Sequence, residues 1–163
     1  MNANDAIRHS ITGSDKVVSA YLGDLTDAEL LARPVPGANH IAWQLGHLIQ
    51  AEHDLINMVC PNSMPALPEG FKDQYAKEKA SVDDPKAFHT KAEYVKLMAE
   101  QRAGTLAALA KLPEAELDKD APEPIRAYCG KVADVFLMQP SHVMMHAGQW
   151  AVTRRKLGRK PMF

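Results

Sequence analysis

The sequence has 163 residues, 46% of them apolar and 24% charged, and a formal net charge of −1. That size suits one domain, residues 1–163, able to bury a core without staples, and the near-neutral charge excludes a protein that grips nucleic acid mainly through its phosphates. No segment approaches the ~20 apolar residues of a membrane span, the two distant cysteines Cys60 and Cys129 form no disulfide framework, and the polar start "MNANDAIRHS" has no signal-peptide core, so a reducing, cytoplasmic setting is the default expectation.

Four long helices are predicted in chain order. The first runs from about Asn4 to Leu25, where Ile7, Ile11, Val18, Leu22 and Leu25 recur near the helical period. A short turn, "DAELLA", precedes the breaker "RPVPG". The second helix runs from about His40 to Val59, with Asn39 as its expected N-cap and Ile41, Leu45, Leu48 and Leu55 in its apolar stripe. A linker over 60–89 follows, with a short helix expected around Phe71–Lys79. The third long helix runs from about Lys91 to Leu112, opened by a capping-box spacing between Thr90 and Glu93. "PEAEL" and a proline-rich loop lead to the fourth, from about Lys131 to Leu157. Val132, Val135, Phe136, Val143 and Trp150 mark its buried side, Gly158 stands at the C-cap, and Pro140 should kink or split it. The basic cluster Arg154, Arg155, Lys156, Arg159 and Lys160 reads as a solvated helix end whose cations complement the helix dipole.

Four amphipathic helices predict an all-α four-helix bundle. Short connectors join antiparallel neighbours, whereas the long 60–89 segment can cross the bundle and leave the second and third helices parallel. The expected topology is therefore up-down-down-up.

Seven histidines are present. His9, His53 and His89 lie among polar residues and read as exposed, and His40 sits over the first turn of its helix. His142 and His146 are four residues apart on one helix, so their imidazoles share a face and can converge on one ion at about 2.0–2.1 Å. They also lie along the apolar stripe, where imidazoles without partners would carry a desolvation cost. His47, in the second helix beside Gly46, is the best third ligand. Val143 stands where a zincin would have glutamate, and the chain has no Glu-x-x-His motif, which argues against zinc-protease and carboxylate-bridged di-iron chemistry. Three neutral imidazoles suit Zn²⁺, Ni²⁺ or another divalent transition metal and leave a position for water or substrate. Around them, Trp43, one turn before His47, reads first as core and could instead line a pocket, and Met144 and Met145 read as packing residues. Gln149 could orient a ligand or make a packing hydrogen bond. Gln50 and Asp54 could fix an imidazole, but read first as solvated helix residues.

The segments "WQLGHL" at 43–48, "HVMMHAGQW" at 142–150 and "RRKLGRKP" at 154–161 give the chain a resemblance to the DinB-like (YfiT-like) superfamily over nearly its whole length. The resemblance implies an up-down-down-up four-helix bundle, often a homodimer. It also implies a divalent metal held by three histidines, matching His47, His142 and His146. The superfamily includes S-transferases and isomerases that use low-molecular-weight thiols, and hydrolases. The expected function is accordingly a metal-dependent transferase or hydrolase acting on a small molecule, with a low-molecular-weight thiol as a possible second cofactor. The alternative is a non-catalytic metal- or small-ligand-binding protein of a stress response. Neither nucleic acid nor membrane is an expected partner.

Overall fold

The computed structural model describes residues 1–162 and is all-α, with no β-strand among those residues. Its helices are α1 (Ala3–Leu22), α2 (Asp27–Leu30), α3 (Ile41–Val59), α4 (Phe71–Gln74), α5 (Lys91–Lys111), α6 (Glu114–Leu117) and α7 (Val132–Lys156). No described helix is long and apolar enough to cross a membrane.

Local chemistry sets the helix ends. Asn2 accepts from the Asp5 amide at the start of α1, and Thr26 with Glu29 forms a full capping box on α2. The expected Thr90–Glu93 box opens α5. The N-cap of α3 is His40, not Asn39: its Nδ1 accepts from the Trp43 amide at 3.0 Å, while Nε2 lies 2.9 Å from the Val82 carbonyl. This leaves His40 neutral, and burial lowers its pKa. Gly158 closes α7 at φ +73°, as its position predicts, in a region that costs glycine nothing.

Pro140 neither splits nor ends α7, which continues from Val132 to Lys156. A proline denies one carbonyl its helical donor. Here the flanking side chains add bonds of their own. Gln139 Nε2 donates to the Val135 carbonyl at 2.8 Å and Ser141 Oγ to that of Leu137 at 2.9 Å. Packing against α1 and α3 holds the two halves in line.

The four long helices touch in a closed cycle: α1 packs on α7 and α5, and α3 on α5 and α7. Their ends meet through specific bonds. Asn4 near the start of α1 donates to the Leu112 carbonyl just past α5, and Lys91 Nζ at the start of α5 reaches the Leu25 carbonyl at 2.6 Å. Arg154, near the end of α7, donates to the Tyr21 carbonyl and pairs with Asp24 just after α1. Arg159 binds Glu29 at 2.7 Å, and Lys156 caps the Arg33 carbonyl. The basic cluster is thus a set of ties as well as a charged helix end, because acidic groups at the end of α1 and in α2 face it.

The segment between α3 and α5 contains α4 and two 3₁₀ turns, Lys77–Lys79 and Pro85–Ala87. Trp43 Nε1 donates to the Ala76 carbonyl, and Arg33 donates to the Ala80 carbonyl and Asp83. Tyr75 from this segment packs directly on Gly46.

The apolar core forms two clusters. One gathers Leu22, Ile41, Leu45, Ile49, Tyr75, Tyr94, Val143 and Trp150, and the other Ile7, Ile11, Ile56, Leu109, Val135 and Phe136. Buried polar groups stand between them. Arg102 and Glu52, with side chains 7% and 8% exposed, come within 3.1 Å. Arg102 Nε donates to Asp15 at 2.9 Å and Thr105 Oγ1 to Glu52 at 2.6 Å. The 3.1 Å approach to Glu52 is a charge contact rather than a well-aligned hydrogen bond, since Arg102 Nη1 has no bonded partner. Burial pushes the Glu52 and Asp15 carboxyls up, and Arg102 opposes this in both.

Candidate metal centre

Three histidines from two helices converge. α3 supplies His47, and α7 supplies His142 and His146. One ring nitrogen from each lies within 4.8 Å of the others, and no carboxylate or thiol joins this cluster among the described residues. Nε2 of His142 and Nε2 of His146 are 3.2 Å apart. Adjacent ligands of a tetrahedral ion with bonds of ~2.0–2.1 Å stand about 3.3 Å apart, so this pair already has the spacing of two ligand corners. The His47 ring lies edge-on to both, with centroids 5.0 Å from His142 and 5.6 Å from His146.

The surroundings keep the rings neutral, as metal binding requires. Burial, with lesser repulsion from neighbouring imidazoles, pushes His142 and His146 down to about 4. Burial and the nearby Lys77 charge lower His47. His146 is buried, while His47 and His142 are half-buried, so one side of the cluster faces outward.

The supporting residues depart from the sequence expectations in informative ways. Trp43 is core, as expected, but it also stacks on His47 with ring centroids 5.1 Å apart and planes 3° from parallel. Gln149 is exposed, and Asp54 pairs with Lys72 at 3.4 Å, so neither holds an imidazole. No hydrogen bond joins Gln50 to the three rings among the described residues. Met144 and Met145 point outward, 47% and 56% exposed, so they do not pack in the core. His53 and His89 are half-buried and bonded, to Gln101 and Tyr75 respectively, whereas His9 is exposed as expected.

The residue that sequence reasoning missed is Gln44, one turn before His47 and almost fully buried. Its Oε1 lies 2.9 Å from His146 Nδ1 and accepts the Trp150 indole N–H at 2.8 Å, and its Nε2 donates to the Asn39 carbonyl at 2.7 Å. A clue stood in the sequence: glutamine on the apolar stripe between Ile41 and Leu48 needs buried partners.

A protein-family model for the DinB superfamily matches residues 11–150. The chain belongs to the DinB superfamily. The match includes all three histidines, the whole of α3 and α5, and most of α1 and α7. Among solved structures, this DinB-superfamily chain is similar to a conserved protein from Enterococcus faecalis at 17% identity, with a TM-score of 0.72, covering 98% of this chain and 99% of that one. That likeness shows a shared fold. No curated protein matches the chain.

A groove of about 530 Å³ between α1 and α5 is lined by Val18, Leu22, Val95, Met98 and Arg102 among others, and by none of the three histidines. It is not an approach to the cluster.

Proposed function

We propose that the chain is a divalent-metal-dependent enzyme whose ion, Zn²⁺ or Ni²⁺, is held by His47, His142 and His146. The observation that carries this reading is the convergence of three neutral imidazoles without a fourth candidate ligand among the described residues. Three protein ligands leave a coordination position for a reactant, whereas closed structural sites use four. A bound ion would act there as a Lewis acid, lowering the pKa of a thiol or a water at that position.

Thiol-dependent S-transfer is the leading reaction of this reading, and hydrolysis by metal-activated water is the other chemistry that the same three ligands support. The chain's own groups orient and exclude: Trp43 covers one face of His47, and the outward side, near Lys77, receives a small substrate.

The same reading takes residues 1–163 as one up-down-down-up four-helix bundle. The end contacts support it: the start of α1 meets the end of α5, and the end of α7 meets the end of α1. Leu137, Met144, Met145 and Val152 leave an exposed apolar row on α7, which supports a homodimer. The free Cys60 and Cys129 support a cytoplasmic setting.

The test is metal analysis of untagged protein purified without chelators, beside His47→Ala, His142→Ala and His146→Ala. We expect about one equivalent in the parent and loss in each variant, followed by turnover with a low-molecular-weight thiol and an electrophilic acceptor. Equal metal content in parent and variants overturns the site. Metal without thiol-dependent turnover overturns the S-transfer reading.

A further inference from the structure

Resting on the metal-centre reading above, we propose that Gln44 is a positioning residue that locks His146 in its Nδ1–H tautomer and thereby aims the Nε2 lone pair at the metal position.

A side-chain amide can face either way, and its orientation follows from partners with a single role. Gln44 has two. The Trp150 indole nitrogen can only donate, and it lies 2.8 Å from Oε1. The Asn39 carbonyl can only accept, and it lies 2.7 Å from Nε2. Turning the amide over would set donor against donor at Trp150 and acceptor against acceptor at Asn39. The oxygen therefore faces His146.

An oxygen 2.9 Å from His146 Nδ1 requires a proton on that nitrogen. In a neutral imidazole, the other nitrogen then carries the lone pair. That nitrogen, Nε2, is the one 3.2 Å from His142 Nε2, inside the cluster. The Gln44 amide thus connects the backbone at the start of α3 to a ligand on α7. His146 cannot turn away, because Gln44 is itself held at both ends and is 1% exposed. In the metal-free chain, the same logic makes His142 the donor in the His142–His146 contact.

Partners of this kind commonly change metal affinity by about 10–100-fold. The test has two readouts that do not involve activity. Long-range ¹⁵N–¹H NMR of the metal-free parent reports which His146 nitrogen holds the proton. We expect Nδ1; a proton on Nε2 overturns the proposal, whether or not the protein binds metal. Zn²⁺ titration calorimetry then compares the parent with Gln44→Leu and Gln44→Glu. Leucine removes the acceptor, so affinity should fall at least tenfold and the His146 tautomers should mix. Glutamate keeps an oxygen facing His146 and should retain the Nδ1–H signal. A folded Gln44→Leu that keeps both the tautomer and Zn²⁺ affinity within twofold overturns the proposal. If Gln44→Leu does not fold, the parent spectrum and the Gln44→Glu signal decide. A parent that binds neither Zn²⁺ nor Ni²⁺ while His146 is protonated on Nδ1 refutes the metal centre and leaves the tautomer lock standing.

Discussion

Gly46 illustrates how much one missing methyl group can carry. A Cβ at this position would stand 2.0–2.4 Å from ring carbons of Tyr75. The ring has nowhere to go: it is 1% exposed, and its hydroxyl is held 2.6 Å from His89 Nδ1 and 2.7 Å from the Tyr94 hydroxyl. Burial pushes the Tyr75 phenol up to about 12, so it stays neutral and serves as a packing and bonding group. In an open helix, alanine would gain about 1 kcal/mol over glycine. Here the sign reverses. Gly46→Ala should lose at least about 1–3 kcal/mol by overpacking, read from urea denaturation. Because His47 is the next residue, Zn²⁺ affinity should fall with it. A stabilised Gly46→Ala would show that Tyr75 yields easily.

The ends of the elements carry the acid sensitivity. Arg154's hydrogen bond holds the Asp24 carboxyl below its ordinary value, with Arg159 adding to it. The Thr26 backbone bond, followed by Arg159, does the same for Glu29. A lowered folded pKa means that the unfolded chain takes up protons first. The stabilisation is therefore complete above the ordinary carboxylate value of about 4 and lost as pH falls through the lower folded values. Asp24→Asn should lower the Tm at neutral pH and converge with the parent as the solution is acidified. A gap that stays constant to pH 3 would assign the difference to packing. The long helices themselves were legible in the sequence, because Ile7, Ile11, Val18 and their counterparts repeat at the helical period. The pair His142 and His146 was legible for the same reason, since four residues is one turn. Gln44 was not legible in the same way, because its role depends on His146 and Trp150 of α7, which no local spacing encodes, whereas the Trp43–His47 stack spans a single helical turn. The His40 cap depends in part on Val82, 42 residues away.

At the scale of the molecule, the buried charges are the least legible feature. Asp15, Glu52 and Arg102 lie on three different helices, and charged residues in a helix read by default as solvated. Breaking such a group differs from replacing it. Arg102→Met alone leaves Glu52 buried without its cation and should cost about 3–5 kcal/mol in urea denaturation. Combining it with Glu52→Leu should recover most of that loss. A single-variant cost below about 1 kcal/mol would place the pair with ordinary surface ion pairs. Apolar helix faces alone index one another poorly, because a leucine one turn along is much like the leucine it replaces. Arg102 connects α5 to both α1 and α3, and Arg154 connects α7 to α1. Two guanidinium groups thus link all four long helices. A slip of one turn, ~5.4 Å, would pull either cation from its carboxylates. The three imidazoles come from helices far apart in the chain, and they inherit their common meeting point from arginines that never touch them.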